Sequence, residues 1–183
     1  MYSRKISSIV LILSMVSAFA VWAVQADDVK PSGSGKANAP AAKSSSLDRI
    51  KSLAGEWVLA DKPNDPPHCT YRVVSGGTAV MEELMPAGEE NMITMYHLDG
   101  DALVMTHYCG LGNQPRMKAK PMVGNKLAFE FTGGCNVQRD GKYMSALTLE
   151  FIDADHIKAS WTLADKGKTG EHVTFDLIRK KKA

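Results

Sequence analysis

Leu147-Thr148-Leu149-Glu150-Phe151-Ile152-Asp153-Ala154-Asp155-His156-Ile157-Lys158-Ala159-Ser160-Trp161 decides the fold. With Asp153-Ala154-Asp155 as a three-residue loop, Phe151 stands opposite Ile157, Leu149 opposite Ala159 and Leu147 opposite Trp161. Glu150 and Lys158 then share the other face. Side chains in a strand alternate between faces, and a slip of one residue would turn the whole apolar set outward, so the pattern itself selects the register. The same test at Val123-Gly124-Asn125 sets Pro121, Ala119 and Met117 against Leu127, Phe129 and Phe131. A two-residue loop there would put Lys118 and Lys120 against the phenylalanines.

Working outward, period-two segments recur at 56–60, 68–74, 78–85, 91–98, 101–109, 116–121, 126–132, 143–152, 156–163 and 170–179. Turn signals separate them about every ten residues, and no helix-length pattern follows, which predicts an all-β protein. About ten strands joined by short loops form an antiparallel up-and-down barrel, whose closure removes exposed edges. Asp99-Gly100 reads as a type I′ hairpin turn. It pairs Leu98 with Asp101, Tyr96 with Leu103, Thr94 with Met105 and Met92 with His107. Before the first strand, Ser45-Ser46-Leu47-Asp48 has the form of a helix start. Leu47, Ile50 and Leu53 follow at helical spacing and Gly55 stops them, so one short helix caps an end of the barrel.

At the N-terminus, Arg4 and Lys5 precede an apolar run from Ile6 to Val24, then Val24-Gln25-Ala26 and Asp27-Asp28. Residues 1–26 read as a secretory signal peptide cut after Ala26, so the chain is expected to be exported, periplasmic or extracellular. The run also approaches the length of a membrane anchor; small residues at the cut followed by acid favour cleavage, after which no stable membrane insertion is expected. Residues 27–46, rich in Pro, Gly, Ser, Ala and Lys, read as a disordered linker. Residues 47–183 suit one domain with one core. The full chain carries 22 basic and 20 acidic side chains. Losing Arg4 and Lys5 balances the charge, which removes any long-range attraction to nucleic acid. Arg179 to Lys182 reads as a solvated tail. Oligomeric state is not fixed by these features.

Gly55-Glu56-Trp57 opens the first strand after a short helix, and Arg179 ends the last, after Val173, Phe175 and Leu177 alternate inward. This pattern resembles the calycin barrels, where the resemblance implies that the arginine packs over the tryptophan and closes one end. A longer run, Tyr96 to Asp101 with Thr106 to Cys109 and Gly112 to Met117, resembles uncharacterised secreted bacterial lipocalin-like proteins. It implies a fold and an exported location over roughly residues 47–180, and no activity.

Thr106-His107-Tyr108-Cys109-Gly110-Leu111-Gly112-Asn113-Gln114-Pro115-Arg116 gathers an imidazole, a thiol, two amides and a guanidinium around a glycine-bearing loop at a strand end. His107, Cys109, Asn113, Gln114 and Arg116, with Tyr96 and Met105, are candidates to hold the polar head and apolar body of a small amphipathic ligand. A structural loop whose amides satisfy the backbone explains the same residues. His107 and Cys109 point the same way about 7 Å apart, so a neighbouring third ligand would make a metal or haem site; an interior histidine bonded to the backbone is the plainer account. Haem also belongs to the nitrobindin-type barrels, which share this architecture, but no ligand residue of theirs is matched here, and no motif assigns a cofactor.

The eight methionines of residues 47–183, among them Met81, Met85, Met92, Met95 and Met105, invite copper(I) in an exported protein, yet they spread over both faces and suit flexible core filling. His156 and His172 share faces with Lys158 and Asp176 and read as exposed. Alternation through Glu82-Glu83 sends one carboxylate inward, unless a bulge or strand end lets both reach water. Cys69, Cys109 and Cys135 form no zinc spacing, and their odd number leaves a thiol over; Cys109 with Cys135 is the expected disulfide, both lying at strand ends beside glycine loops. No nucleophile motif, phosphate loop or metalloprotease signature occurs. The sequence therefore points to a non-catalytic, exported barrel holding an apolar or amphipathic molecule. A haem barrel with redox or isomerase activity and a purely structural, side-chain-filled barrel are the alternatives.

Overall fold

A computed structural model describes residues 46–85 and 90–181, all within one compact unit. The expected signal peptide, and the linker up to residue 45, lie outside the described residues. Helix α1 (Ser46–Lys51) precedes ten strands: β1 (Gly55–Leu59), β2 (Cys69–Val74), β3 (Ala79–Leu84), β4 (Met92–Asp99), β5 (Ala102–Tyr108), β6 (Gln114–Ala119), β7 (Lys126–Cys135), β8 (Lys142–Phe151), β9 (His156–Asp165) and β10 (Lys168–Arg179). Each pairs antiparallel with its sequence neighbours, and β1 pairs with β10, so the sheet closes into a barrel of lipocalin-like architecture. No described helix is long and apolar enough to cross a membrane.

The alternation that defines the strands also fills the lumen. Phe151 opposite Ile157, Leu149 opposite Ala159 and Leu147 opposite Trp161 all occur in the β8–β9 ladder, and Ala119 opposite Phe129 and Met117 opposite Phe131 in β6–β7. The strand β6 ends at Ala119, before Pro121 can pair, and begins two residues earlier than the 116–121 reading, so Gln114 and Pro115 belong to the sheet rather than to the preceding loop. Leu47, Ile50 and Leu53 are buried against one end of the lumen, where Leu127, Phe129, Leu149, Phe151 and Ile157 join them in a continuous core.

One hairpin differs from the sequence reading. Asp99 pairs with Ala102, Leu98 with Leu103, Tyr96 with Met105 and Thr94 with His107, so the turn is centred on Gly100-Asp101. Gly100 takes φ +58° at the first central position and Asp101 does not need a positive φ, the φ pattern of a type II′ rather than a type I′ turn. This slides each strand residue two places along its partner. A shift of two keeps every side chain on its own face, so hydrophobic alternation cannot detect it.

β1 meets β10 over three residue pairs and β2 over three. That short seam is held from above. The Arg179 guanidinium lies 4.4 Å from the Trp57 ring centroid, its Nε donates to Asp155 Oδ1 at 2.7 Å, and its terminal nitrogens donate to the carbonyls of Ala54, Ser52 and Ala154. A Cβ at Gly55 would stand 3.0 Å from Arg179 Nη1 on a backbone with φ +133°, so glycine makes room for this seat. Trp57 is fully buried and donates its indole N–H to Leu53 O at 2.8 Å, tying the helix to the seam.

In urea denaturation, Trp57→Ala should cost about 3–5 kcal/mol through loss of buried aromatic volume. Arg179→Ala, whose side chain is partly exposed, should cost about 1.5–3 kcal/mol through its charged hydrogen bonds. The double variant should lose about 0.5–2 kcal/mol less than the sum, the cation–π share. Additive losses would show that the ring and guanidinium do not interact.

Candidate functional site

At the end opposite α1 the core stops short of the rim. A cavity of about 300 Å³ is bounded by Leu84 on β3, Met92 on β4, His107 on β5, Met144 on β8, Trp161 on β9, and Val173 and Phe175 on β10. Most of these walls are apolar because each residue sits at an inward position of its strand near the end where the barrel opens. His68, just before β2, packs its ring against Phe175 at 4.5 Å.

Two polar atoms interrupt the apolar wall. His107 is 1 % exposed, and its ring lies 4.7 Å from that of Trp161. Thr94 Oγ1 stands 3.0 Å from His107 Nδ1. That contact holds the ring to the barrel wall. Neither His107 Nε2 nor Trp161 Nε1 has a hydrogen-bond partner among the described residues. Arg49 Nε, His68 Nε2 and Asn113 Oδ1 are likewise buried without a partner among the described residues, but His107 and Trp161 are the two whose rings meet at this cavity. Burial lowers the His107 pKa to about 4, so the ring is neutral at ordinary pH.

Behind this pair lies a row of polar side chains. Tyr71 stands directly opposite Glu82, Glu82 opposite Thr94 and Thr94 opposite His107, across β2, β3, β4 and β5. Glu82 is 2 % exposed. No bulge or strand end frees it to reach water, which corrects the solvated alternative for the Glu82-Glu83 pair. The hydroxyls of Tyr71 and Tyr96 donate to its two carboxylate oxygens at 2.7 Å each. Burial is the larger effect and raises the Glu82 pKa, opposed by the hydrogen bonds from Tyr96 and Tyr71.

The residues proposed from sequence separate into three places. Tyr96, Met105 and His107 all point inward and are buried, but of these only His107 borders the cavity. Tyr96 is spent on Glu82 and packs edge-on against Phe129; Met105 belongs to the core. Cys109 and Asn113 close the tight loop after β5: the Cys109 N–H donates to Asn113 O, and Asn113 Nδ2 donates to Lys142 O at 2.8 Å. Gln114 and Arg116 face outward, where Gln114 Oε1 accepts from Asn136 and Arg116 lies 3.6 Å from Cys135 Sγ. They line an outer groove of about 690 Å³ with His97, Tyr108 and Thr132, on the convex side of the sheet. Trp57 and Arg179 lie in the seam at the opposite end from the cavity.

All three cysteines are free thiols, Cys69 and Cys109 buried and Cys135 exposed, in place of the expected Cys109–Cys135 disulfide. The physical reason is alternation: Cys109 is turned inward after β5, whereas Cys135 ends β7 on the outer groove. Among the described residues no three His, Cys, Asp or Glu side chains gather as a metal site. Nor do the residues fit haem: the cavity sits at the small end of ligand sites, and Trp161 stacks against the imidazole that would have to coordinate iron. Thr94, Met144, Trp161 and Phe175 were not singled out from sequence, although their inward positions follow from alternation. The chain matches no protein-family model and no curated protein.

The neutrality of His107 has a consequence for stability. The unfolded chain binds a proton at His107 below its ordinary pKa of 6.5, while the folded chain resists until about 4. Its contribution is therefore fully present above pH 6.5 and lost as pH falls toward 4. His107→Gln removes that dependence. The stability difference between the native chain and this variant should shrink by about 2–3 kcal/mol between pH 7 and pH 4.5, measured by urea denaturation. Parallel pH profiles would show that His107 titrates as a solvent-exposed imidazole.

Proposed function

We infer that this chain is a non-catalytic binding barrel of the lipocalin-like kind, exported from the cytoplasm, that holds a small apolar or amphipathic molecule at the open end of its lumen. The single observation that carries the reading is the cavity with two unpartnered ring nitrogens, His107 Nε2 and Trp161 Nε1, in an otherwise apolar wall. Small-molecule sites have this composition: apolar surface supplies affinity and a few polar groups fix orientation. Export is supported by the basic and apolar pattern of residues 1–26. The size of the cavity narrows the ligand to a compact molecule, because the lumen beyond it is occupied by the Tyr96, Met105, Met117 and Phe129 side chains.

Trp161 provides the readout. In the exported chain it and Trp57 are the tryptophans, and Trp57 lies under Arg179 away from the cavity. Compact aromatic and aliphatic probes should change the emission saturably, and Met144→Trp, which fills the cavity, should weaken their binding at least about tenfold. Long-chain fatty acids should not compete. Absence of saturable binding by any compact probe overturns the reading.

A further inference from the structure

Five of the seven described residues that line the cavity carry a ring or a thioether: His107, Trp161 and Phe175, with Met92 and Met144. Met92, Met144 and Phe175 pack against the core yet are only partly buried, so they keep free surface at the open end. The rings are held in place. Phe175 has the His68 ring against it at 4.5 Å and 47°. His107 is fixed between Thr94 Oγ1, 3.0 Å from its Nδ1, and the Trp161 ring at 4.7 Å and 42°. A ring already ordered loses little freedom when a ligand packs on it. The methionines are the opposite, unbranched side chains that reshape around what they touch. They stand on β4 and β8, with three strands between them around the barrel, and so approach the cavity from different walls.

Such walls discriminate where plain apolar surface does not. Area burial rewards any hydrocarbon in proportion to its surface, and a saturated ring has more surface than the aromatic ring of the same skeleton. An aromatic ring has a negative face and a positive edge, and attracts other rings and thioether sulfur beyond what its area gives. Among the described residues no charged side chain lines the cavity, and burial keeps His107 neutral at ordinary pH. An ionised ligand would lose its hydration there without a counter-charge. We propose that the cavity selects neutral aromatic molecules of one or two rings over saturated molecules of the same skeleton, with Phe175 and Trp161 as fixed ring contacts and Met92 and Met144 as adaptable sulfur contacts. This rests on the cavity being a small-molecule site. Its volume of about 300 Å³, at the lower limit of such sites, sets the size.

The test titrates the exported chain at pH 7 with three probes of similar shape: toluene, methylcyclohexane and benzoate. Toluene should bind about threefold or more tightly than methylcyclohexane, reversing the order that surface area sets. Benzoate should bind at least about tenfold more weakly than toluene. The double variant Met92→Leu, Met144→Leu keeps the side-chain volume and removes both sulfurs, a swap that cores tolerate. It should weaken toluene at least about threefold while methylcyclohexane changes by less than about twofold, restoring the area order. Each single variant should show a smaller change in the same direction, and these carry the test if the double variant fails to fold. A toluene preference unchanged in the folded methionine variants overturns the sulfur contacts. Methylcyclohexane binding to the native chain as tightly as toluene overturns the aromatic selectivity and leaves the small-molecule site standing, and benzoate matching toluene overturns the preference for neutral ligands. Failure of all three probes to bind removes the site itself, and the ligand class with it.

Discussion

The barrel depends on the contact between Arg179 and Trp57. Eight of the ten strand junctions are hairpins, in which chain connection brings the partners together, and β1–β2 is joined by a longer loop; β1–β10 is the junction that must find a partner across the whole length of the domain. It has three residue pairs to do so. The guanidinium compensates by binding several layers together: the indole of β1, the carbonyls after α1, and the β8–β9 turn through Asp155 and Ala154. A planar group with five donors suits this role, since it stacks and donates at once. The apolar helix face, the first strand and the last strand thus share one anchor. Once they are joined no sheet edge is left open for another chain to pair with.

Closure divides the lumen into two regimes. Near α1 the apolar side chains form a continuous buried core. Toward the other end, the interior takes on polar character in a single row from Tyr71 to His107. Burying a carboxylate costs several kcal/mol unless it is hydrogen-bonded, and Glu82 has donors on both oxygens. A half-satisfied network would be worse than an apolar core, because an unpaired buried polar group bears its full desolvation penalty. The network is satisfied at its Glu82 end and left open at its His107 end, where the cavity begins.

How far this could be read from the sequence depended on register. Leu147, Leu149 and Phe151 against Trp161, Ala159 and Ile157 were legible because a three-residue loop separates apolar from charged faces. Glu82 was legible as one inward carboxylate of a pair. Its partners were hidden by the Asp99-Gly100 hairpin. With Thr94 set against Met105, the hydroxyl had no imidazole to reach; moved by two residues, it stands against His107 and completes the row. Both registers keep the same side chains inside, so only the turn conformation of Gly100 separates them. Likewise Gln114 looked like a loop residue and Arg116 like the first residue of a strand, both grouped with His107, but the strand begins at Gln114 and carries both to the outer face.

The sequence by itself determined the number and approximate limits of the strands, the inward and outward sets and the capping helix, while the meeting of Trp57 and Arg179 was implied by the resemblance to calycin barrels. The strands, their faces and the helix follow from local periodicity and turn composition, which are written in neighbouring residues. Tertiary structure decided where the lumen is filled and where it is hollow, that Tyr71 and Tyr96 are spent on Glu82, and that His107 meets Trp161 across the barrel. Those are contacts between strands distant in sequence. Their distances depend on shear and packing volume, quantities that no single strand's alternation encodes.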